Sequence, residues 1–271
     1  MVFDISPDDI ALLGIPFDAY SSHLKGAGKA PTAIRNMISS GSANSSTELG
    51  VELKNNSRIQ DVGDISWADD SQAFDSIDKR ITEIASLGGK PLTFGGDHSI
   101  TFPIIKALAK YHSEITILHF DAHPDLYDVF NNNPLSHACP FARIMENNLA
   151  KRLVQVGIRT LNEHQREQAN RFNVEIHEMR NWKGAEQIKI TGSVYISIDI
   201  DALDPAFAPG VSHHEPGGLS VRQILDIIHN LDVPIIGADI VEYNPKRDIN
   251  GMTAMVATKL YKEVCGQMLT L

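Results

Sequence analysis

Two spacings of apolar residues alternate along this chain. Short β-branched or apolar runs bounded by Gly, Pro or Asp read as buried strands, and apolar residues every three or four positions read as helices. Runs of the first kind cover residues 10–17, 59–65, 91–94, 115–121, 152–158, 174–177, 194–201 and 234–241. Residues 74–87 carry apolar side chains at 74, 77, 81, 84, 85 and 87 and stop at Gly88-Gly89, a helix with its stop signal. Further helices are predicted from Pro31, which suits a first helical position, and over 102–111, 140–150, 162–172, 182–188, 221–231 and 253–269. The Ser/Asn stretch 41–47 and Asn131-Asn132-Asn133-Pro134 read as loops. Strand and helix alternate about eight times. That predicts an α/β fold, a single-domain three-layer sandwich with a parallel, roughly eight-stranded sheet between helices.

With 271 residues, 42% of them hydrophobic, and no Pro- or Ser-rich linker, residues 1–271 form one expected domain. Lys plus Arg number 24 and Asp plus Glu 34, so 24 − 34 = −10. This charge disfavours nucleic acid and anionic membranes as partners and favours a cationic substrate. Cys139 and Cys265 make neither a disulfide framework nor a CxxC pair, which fits a reducing compartment. Residues 1–9 carry no signal-peptide or transit pattern, and no apolar run approaches a membrane span. The expectation is a soluble cytoplasmic protein.

Candidate chemistry gathers where the strand runs end. Asp121-Ala122-His123-Pro124-Asp125 and Asp199-Ile200-Asp201 supply five possible metal ligands, and Gly95-Gly96-Asp97-His98-Ser99 adds His98. Open α/β sheets place their sites at strand C-terminal ends. Carboxylates at i and i+2 on a strand share a face, which suits Asp199 with Asp201 and Asp121 with His123; Pro124 takes Asp125 off the ladder. A lone Asp after a strand is commonly a helix cap. Four crowded carboxylates are different, because they repel unless a cation neutralises them. Four carboxylates and two imidazoles exceed one tetrahedral zinc and suit two harder ions. Mn²⁺ is favoured, with Fe, Co or Ni as substitutes, and a water shared by two ions becomes a hydroxide near neutral pH.

Other motifs carry less. Gly95 to Ser99 lacks the Lys and spacing of a phosphate loop, and neither GxGxxG nor GxSxG occurs. Cys139 lies near His137, a nucleophile arrangement set against simple packing before Pro140. His119, two residues before Asp121, reads as a supporting or core histidine. His213 and His214 stand in a Gly/Pro-bounded loop, facing either the site or solvent.

The three segments, the last extended to Ser197-Ile198-Asp199-Ile200-Asp201-Ala202-Leu203-Asp204-Pro205, resemble the signature motifs of the ureohydrolase (arginase/agmatinase) family. The similarity runs from Leu13-Gly14-Ile15-Pro16 to Ala254. Residues 41–48, 136–146, 204–213 and 237–248 make plant-type arginases the most similar branch. The resemblance implies an arginase-like fold and two Mn²⁺ per chain. His98, Asp121, Asp125 and Asp201 would hold or bridge one ion, with His123 and Asp199 completing the other. It further implies attack of a metal-bridging hydroxide on a guanidinium carbon, with Asp125 relaying a proton to the departing amine. Glu242 would pair with the guanidinium, and His137 would shuttle protons or contact substrate. The implied reaction takes L-arginine to L-ornithine and urea; agmatine, giving putrescine and urea, or another guanidino compound is the alternative. The family resemblance also implies a homo-oligomer, trimer or hexamer.

The far end of the substrate is less clearly marked. Animal-type arginases place an Asp after a Gly-x-Arg turn, whereas here Gly157-Ile158-Arg159 leads into Thr160-Leu161-Asn162. Asp128 and Asn133 are the candidates for the distal contact, Asp128 toward an ammonium. His214 departs from the apolar residue usual in plant-type sequences, and would shift tail specificity if it faced the site. Rival readings are a single-zinc amide deacetylase of related fold, which the extra ligands His98 and Asp125 argue against, a Cys139 amidinotransferase, and a non-catalytic subunit.

Overall fold

The structure, a computed structural model, describes residues 5–271. Eight strands form one sheet: β1 (Ile10–Gly14), β2 (Ile59–Asp64), β3 (Lys90–Phe94), β4 (Thr116–Phe120), β5 (Arg152–Ile158), β6 (Glu175–Glu178), β7 (Val194–Asp199) and β8 (Ile235–Val241). Every pairing is parallel, in the order β2-β1-β3-β8-β7-β4-β5-β6. Parallel strands need crossovers, and helices supply most of them. Helices α1 (Ala30–Ser39), α6 (Val221–His229) and α7 (Met252–Thr270) cover one face; α2 (Ala73–Ser86), α3 (Thr101–Leu108), α4 (Pro140–Glu146) and α5 (Glu163–Phe172) cover the other.

Strand periodicity divides the core. Ile10 and Leu12 of β1 point into the cluster under α1, α6 and α7, while Ala11 and Leu13 join Ile77, Ile81 and Ile104 on the opposite side. Both clusters are buried, which accounts for strands that read as continuous apolar runs. One expected helix is absent. Residues 182–188 form no α-helix; two 3-10 turns, Met179–Asn181 and Ala185–Gln187, occupy the region. Gly184 between them has φ 136°, outside the helical region, and interrupts the turn.

The chain leaves β3 for β4, three places along, and later returns to fill the gap with β7 and β8. The C-terminal ends of β3, β8, β7 and β4 are therefore neighbours at a topological switch, where such sheets form clefts. A register-matched polar row crosses the same strands: Thr93, Asp239, Ser197, His119 and Gln155, one per strand from β3 to β5. All five are fully buried. This row supports the site above it.

Candidate metal centre and cavity

The loop after β3 carries Gly95-Gly96-Asp97-His98-Ser99, and each residue has a physical task. A Cβ added to Gly96 would lie 1.8 Å from the Phe17 carbonyl oxygen, so only glycine permits this approach. Asp97 caps the following turn by accepting from Ser99 N at 3.1 Å, and its other oxygen accepts from Tyr20 N at 3.0 Å. Burial pushes Asp97 up to about 7. These contacts set His98, fully buried, at the start of the turn that leads into α3.

Hydrogen-bond direction then fixes the His98 ring. Asp239 accepts from Thr101 Oγ1 (2.8 Å), Tyr195 OH (2.7 Å) and Ser197 Oγ (2.7 Å). The Ser197 proton being committed to Asp239, its oxygen accepts from His98 Nε2 at 2.9 Å. His98 Nδ1 is left buried with no hydrogen-bond partner. It faces Asp121 Oδ2 at 3.2 Å, Asp125 Oδ2 at 3.2 Å and Asp199 Oδ2 at 3.3 Å. A nitrogen lone pair aimed at three carboxylate oxygens is a cradle for a cation.

A second cradle adjoins the first. His123 Nδ1 lies 3.1 Å from Asp201 Oδ2 and 3.4 Å from Asp121 Oδ1, so Asp121 offers one oxygen to each cradle. The grouping differs from the one implied by resemblance: Asp199 faces His98, and Asp201 faces His123. The reason is local. Strand β7 stops at Asp199, whose Oδ1 accepts from Asp201 N at 2.8 Å and turns the chain into a 3-10 turn, which carries Asp201 toward His123. Asp199 is thus a cap through one oxygen and a candidate ligand through the other.

The electrostatics call for positive charge. Burial, then the charges of Asp201 and Asp121, push Asp199 well above the usual carboxylate range. Burial opposes charge on both imidazoles, but the surrounding carboxylates outweigh it, holding His98 well above its ordinary range and lifting His123 to about 12. Four carboxylates against two imidazoles leave a deficit that two divalent ions would cancel. The mixed oxygen and imidazole donor set fits such ions.

His119 is not part of either cradle. Gln155 Nε2 donates to Pro124 O at 2.7 Å and to His119 Nδ1 at 3.0 Å, so His119 carries its proton on Nε2 and donates it to Asp121 Oδ2 at 2.8 Å. Its ring packs on Phe141 with centroids 4.0 Å apart.

Above the cradles opens a cavity of about 210 Å³. Asp125, Asp199, Asp201 and His123 form its floor with Glu242 and His137; Ser22, Tyr127, Phe130, Ala138, Thr160, Gln165 and His213 complete the wall. Glu242 and Asp125 both have left-handed backbones, with φ of 62° and 48°. Asn and Asp account for the other non-glycine residues of that kind among those described, so Glu242 stands apart. Such a conformation costs about 1–2 kcal/mol and is typically retained at functional positions. Here it ends β8 and aims a buried carboxylate at the site, where Oε1 accepts from His98 N at 2.9 Å and meets His137 Nδ1 at 2.8 Å. Burial opposes protonation of His137 and the Glu242 charge favours it, while the Ser22 N–H 3.1 Å from Nε2 disfavours a proton on that nitrogen.

The six candidate ligands, Glu242 and His137 are therefore brought together. Asp128 and Asn133 are not. Asp128 has a side chain 57% exposed and is drawn outward by Arg143 of α4 at 2.8 Å. Asn133 spends its amide oxygen on Leu135 N at 2.9 Å within its own turn. His213 lines the cavity, whereas His214 is exposed and bonds the Pro209 carbonyl. Asn162 caps α5 with a full capping box and reaches Tyr127 OH. Cys139 is buried beside its turn, and burial pushes its thiol up to about 12, which disfavours the thiolate a nucleophile needs. No pattern in the sequence marked Ser22, Tyr127, Phe130 or Gln165. Ser197 and Asp239 did leave a signal, a polar residue inside an apolar strand.

Known proteins resemble this chain over nearly its whole length. The family model described as "Arginase family" matches residues 8–266. The Arabidopsis thaliana protein "Arginase 1, mitochondrial" is 49% identical over 280 residues, covering 95% of this chain and 80% of its own. The Homo sapiens "Guanidino acid hydrolase, mitochondrial" is 36% identical, covering 94% of this chain and 77% of its own. Among solved structures, "Arginase from Medicago truncatula" superposes with a TM-score of 0.90 at 45% identity, over 96% of this chain and 87% of that one.

Proposed function

The chain belongs to the arginase family and is a ureohydrolase acting on C–N bonds, and from that premise we propose that it hydrolyses L-arginine to L-ornithine and urea with two Mn²⁺. The observation that carries the metal half is the orphaned His98 Nδ1 facing three carboxylate oxygens, beside a second imidazole that shares Asp121. In this reading His98, Asp121, Asp125 and Asp199 hold one ion, and His123, Asp121 and Asp201 the other. Bound there, divalent ions supply Lewis acidity and a water acidic enough to ionise near neutral pH.

The chain's own residues do the rest. Glu242, buried and locked by His98 N, pairs with the planar guanidinium and holds its carbon over the cradles. Asp125 reaches the cavity floor, where it passes a proton to the departing amine, so that nitrogen leaves neutral. His137 stands against Glu242 on the cavity floor and exchanges protons between the site and the cavity. Tyr127 and Phe130, with ring centroids 4.8 Å apart, form an apolar wall for the aliphatic stem.

A second substrate reading has its own observation. Among the described residues no Lys or Arg lines the cavity, so no fixed side-chain cation there awaits a substrate carboxylate. This favours agmatine or another guanidino compound as the competitor. The deciding experiment is urea release with Mn²⁺ from arginine, agmatine, guanidinobutyrate, guanidinopropionate and guanidine. The highest kcat/KM on arginine supports the proposal; the highest on agmatine replaces the substrate; no urea from any of them removes the assignment.

A further inference from the structure

The loop that follows β1 is built around His137, and nothing in the metal chemistry explains why. Ser22 N donates to His137 Nε2 at 3.1 Å, and Ser22 Oγ lies 2.7 Å from the same nitrogen. A peptide N–H can only donate, so Nε2 must present a lone pair and the ring proton must sit on Nδ1, where Glu242 Oε1 accepts it at 2.8 Å. The loop is secured on both sides of Ser22. Asp97 accepts from Tyr20 N and Ser21 Oγ, Tyr20 O accepts from His137 N at 3.3 Å, and Asp18 accepts from Gly26 N at 2.7 Å and Gly28 N at 3.2 Å. Ser22 also lines the cavity.

We infer that Ser22 is a positioning residue, whose amide and hydroxyl hold His137 in the Nδ1–H tautomer with its basic nitrogen turned toward Ser22. Glu242 then receives the Nδ1 proton as a hydrogen bond and keeps its charge for the guanidinium. Without the hydroxyl, Nε2 keeps only the longer amide contact, and the Nδ1–H tautomer is held less firmly. The kinetic part of this inference rests on the ureohydrolase reading; the tautomer does not.

The test compares Ser22→Ala and Ser22→Thr with the wild-type holoenzyme, together with ¹⁵N spectra of the histidines in protein loaded with diamagnetic Cd²⁺. The expected results are a fall in kcat of about tenfold in Ser22→Ala, as for loss of one hydrogen bond to a reacting group, with KM within about twofold. Ser22→Thr restores kcat. The wild-type spectrum shows a protonated Nδ1 and an unprotonated Nε2 at His137, and Ser22→Ala loses that pure pattern. Unchanged kcat in Ser22→Ala, an equal loss in Ser22→Thr, or a wild-type proton on Nε2 would overturn the inference. If no guanidino compound yields urea, the spectrum still decides the tautomer.

Discussion

Replacing Glu242 by Gln separates substrate pairing from metal binding, because the two functions fall on different residues of one crowded floor. Glu242 faces no cradle nitrogen; its Oε1 meets His98 N at 2.9 Å and His137 Nδ1 at 2.8 Å. An amide oxygen in the same place still accepts from both, so the β8 turn and the His98 loop should survive. What disappears is the negative charge opposite the guanidinium. A hydrogen bond between charged groups contributes about 1.5–3 kcal/mol more than none, so kcat/KM should fall roughly 10- to 150-fold. Some of that loss should appear in kcat, since a guanidinium held by one contact instead of two spends less time over the cradles. The assay is steady-state urea release alongside metal analysis of the same sample. Two ions per chain with reduced kcat/KM is the expected outcome. Unchanged kcat/KM would take Glu242 out of the substrate site, and loss of metal would show that Glu242 also supports the ions.

His123→Ala and Asp199→Asn should each abolish turnover by weakening one cradle; wild-type turnover in a variant verified to have lost an ion would sink the two-metal account. Removing metal should lower Tm, since an ion at 1,000 times its Kd stabilises the native state by about 4 kcal/mol, and a melt unchanged by chelator would contradict a built site. Asn162→Ala removes the α5 cap at a cost of about 1 kcal/mol, so Tm should fall while KM stays put; a large KM change would make Asn162 a substrate contact. Asp128→Asn breaks an exposed ion pair with Arg143, so kcat/KM should stay within about twofold, and a tenfold loss would return Asp128 to the site.

The sheet and its helices were legible because strand and helix leave different periods, and because both faces are buried, giving continuous apolar runs in β4, β7 and β8. Residues 182–188 misled because their composition suits a helix, while Gly184 at φ 136° breaks it. The ligand set was readable from residue type and strand ends. Its partition between cradles was not, since that depends on Asp199 folding its own oxygen onto Asp201 N. Cap and ligand are not exclusive roles: a carboxylate has two oxygens, and Asp199 turns one to Asp201 N and the other to His98 Nδ1. The wall above the cradles was least legible. Ser22, Tyr127 and Gln165 lie about 100 positions or more from some of their neighbours in the cavity, and ordinary polar or aromatic residues in loops give no local pattern.

If two divalent ions share Asp121, counting them will show it. Metal-stripped protein titrated with Mn²⁺ should bind two ions per chain, and their electron paramagnetic resonance should show the spin coupling of neighbouring ions. One ion per chain, or two that remain magnetically independent, would contradict the shared cradle.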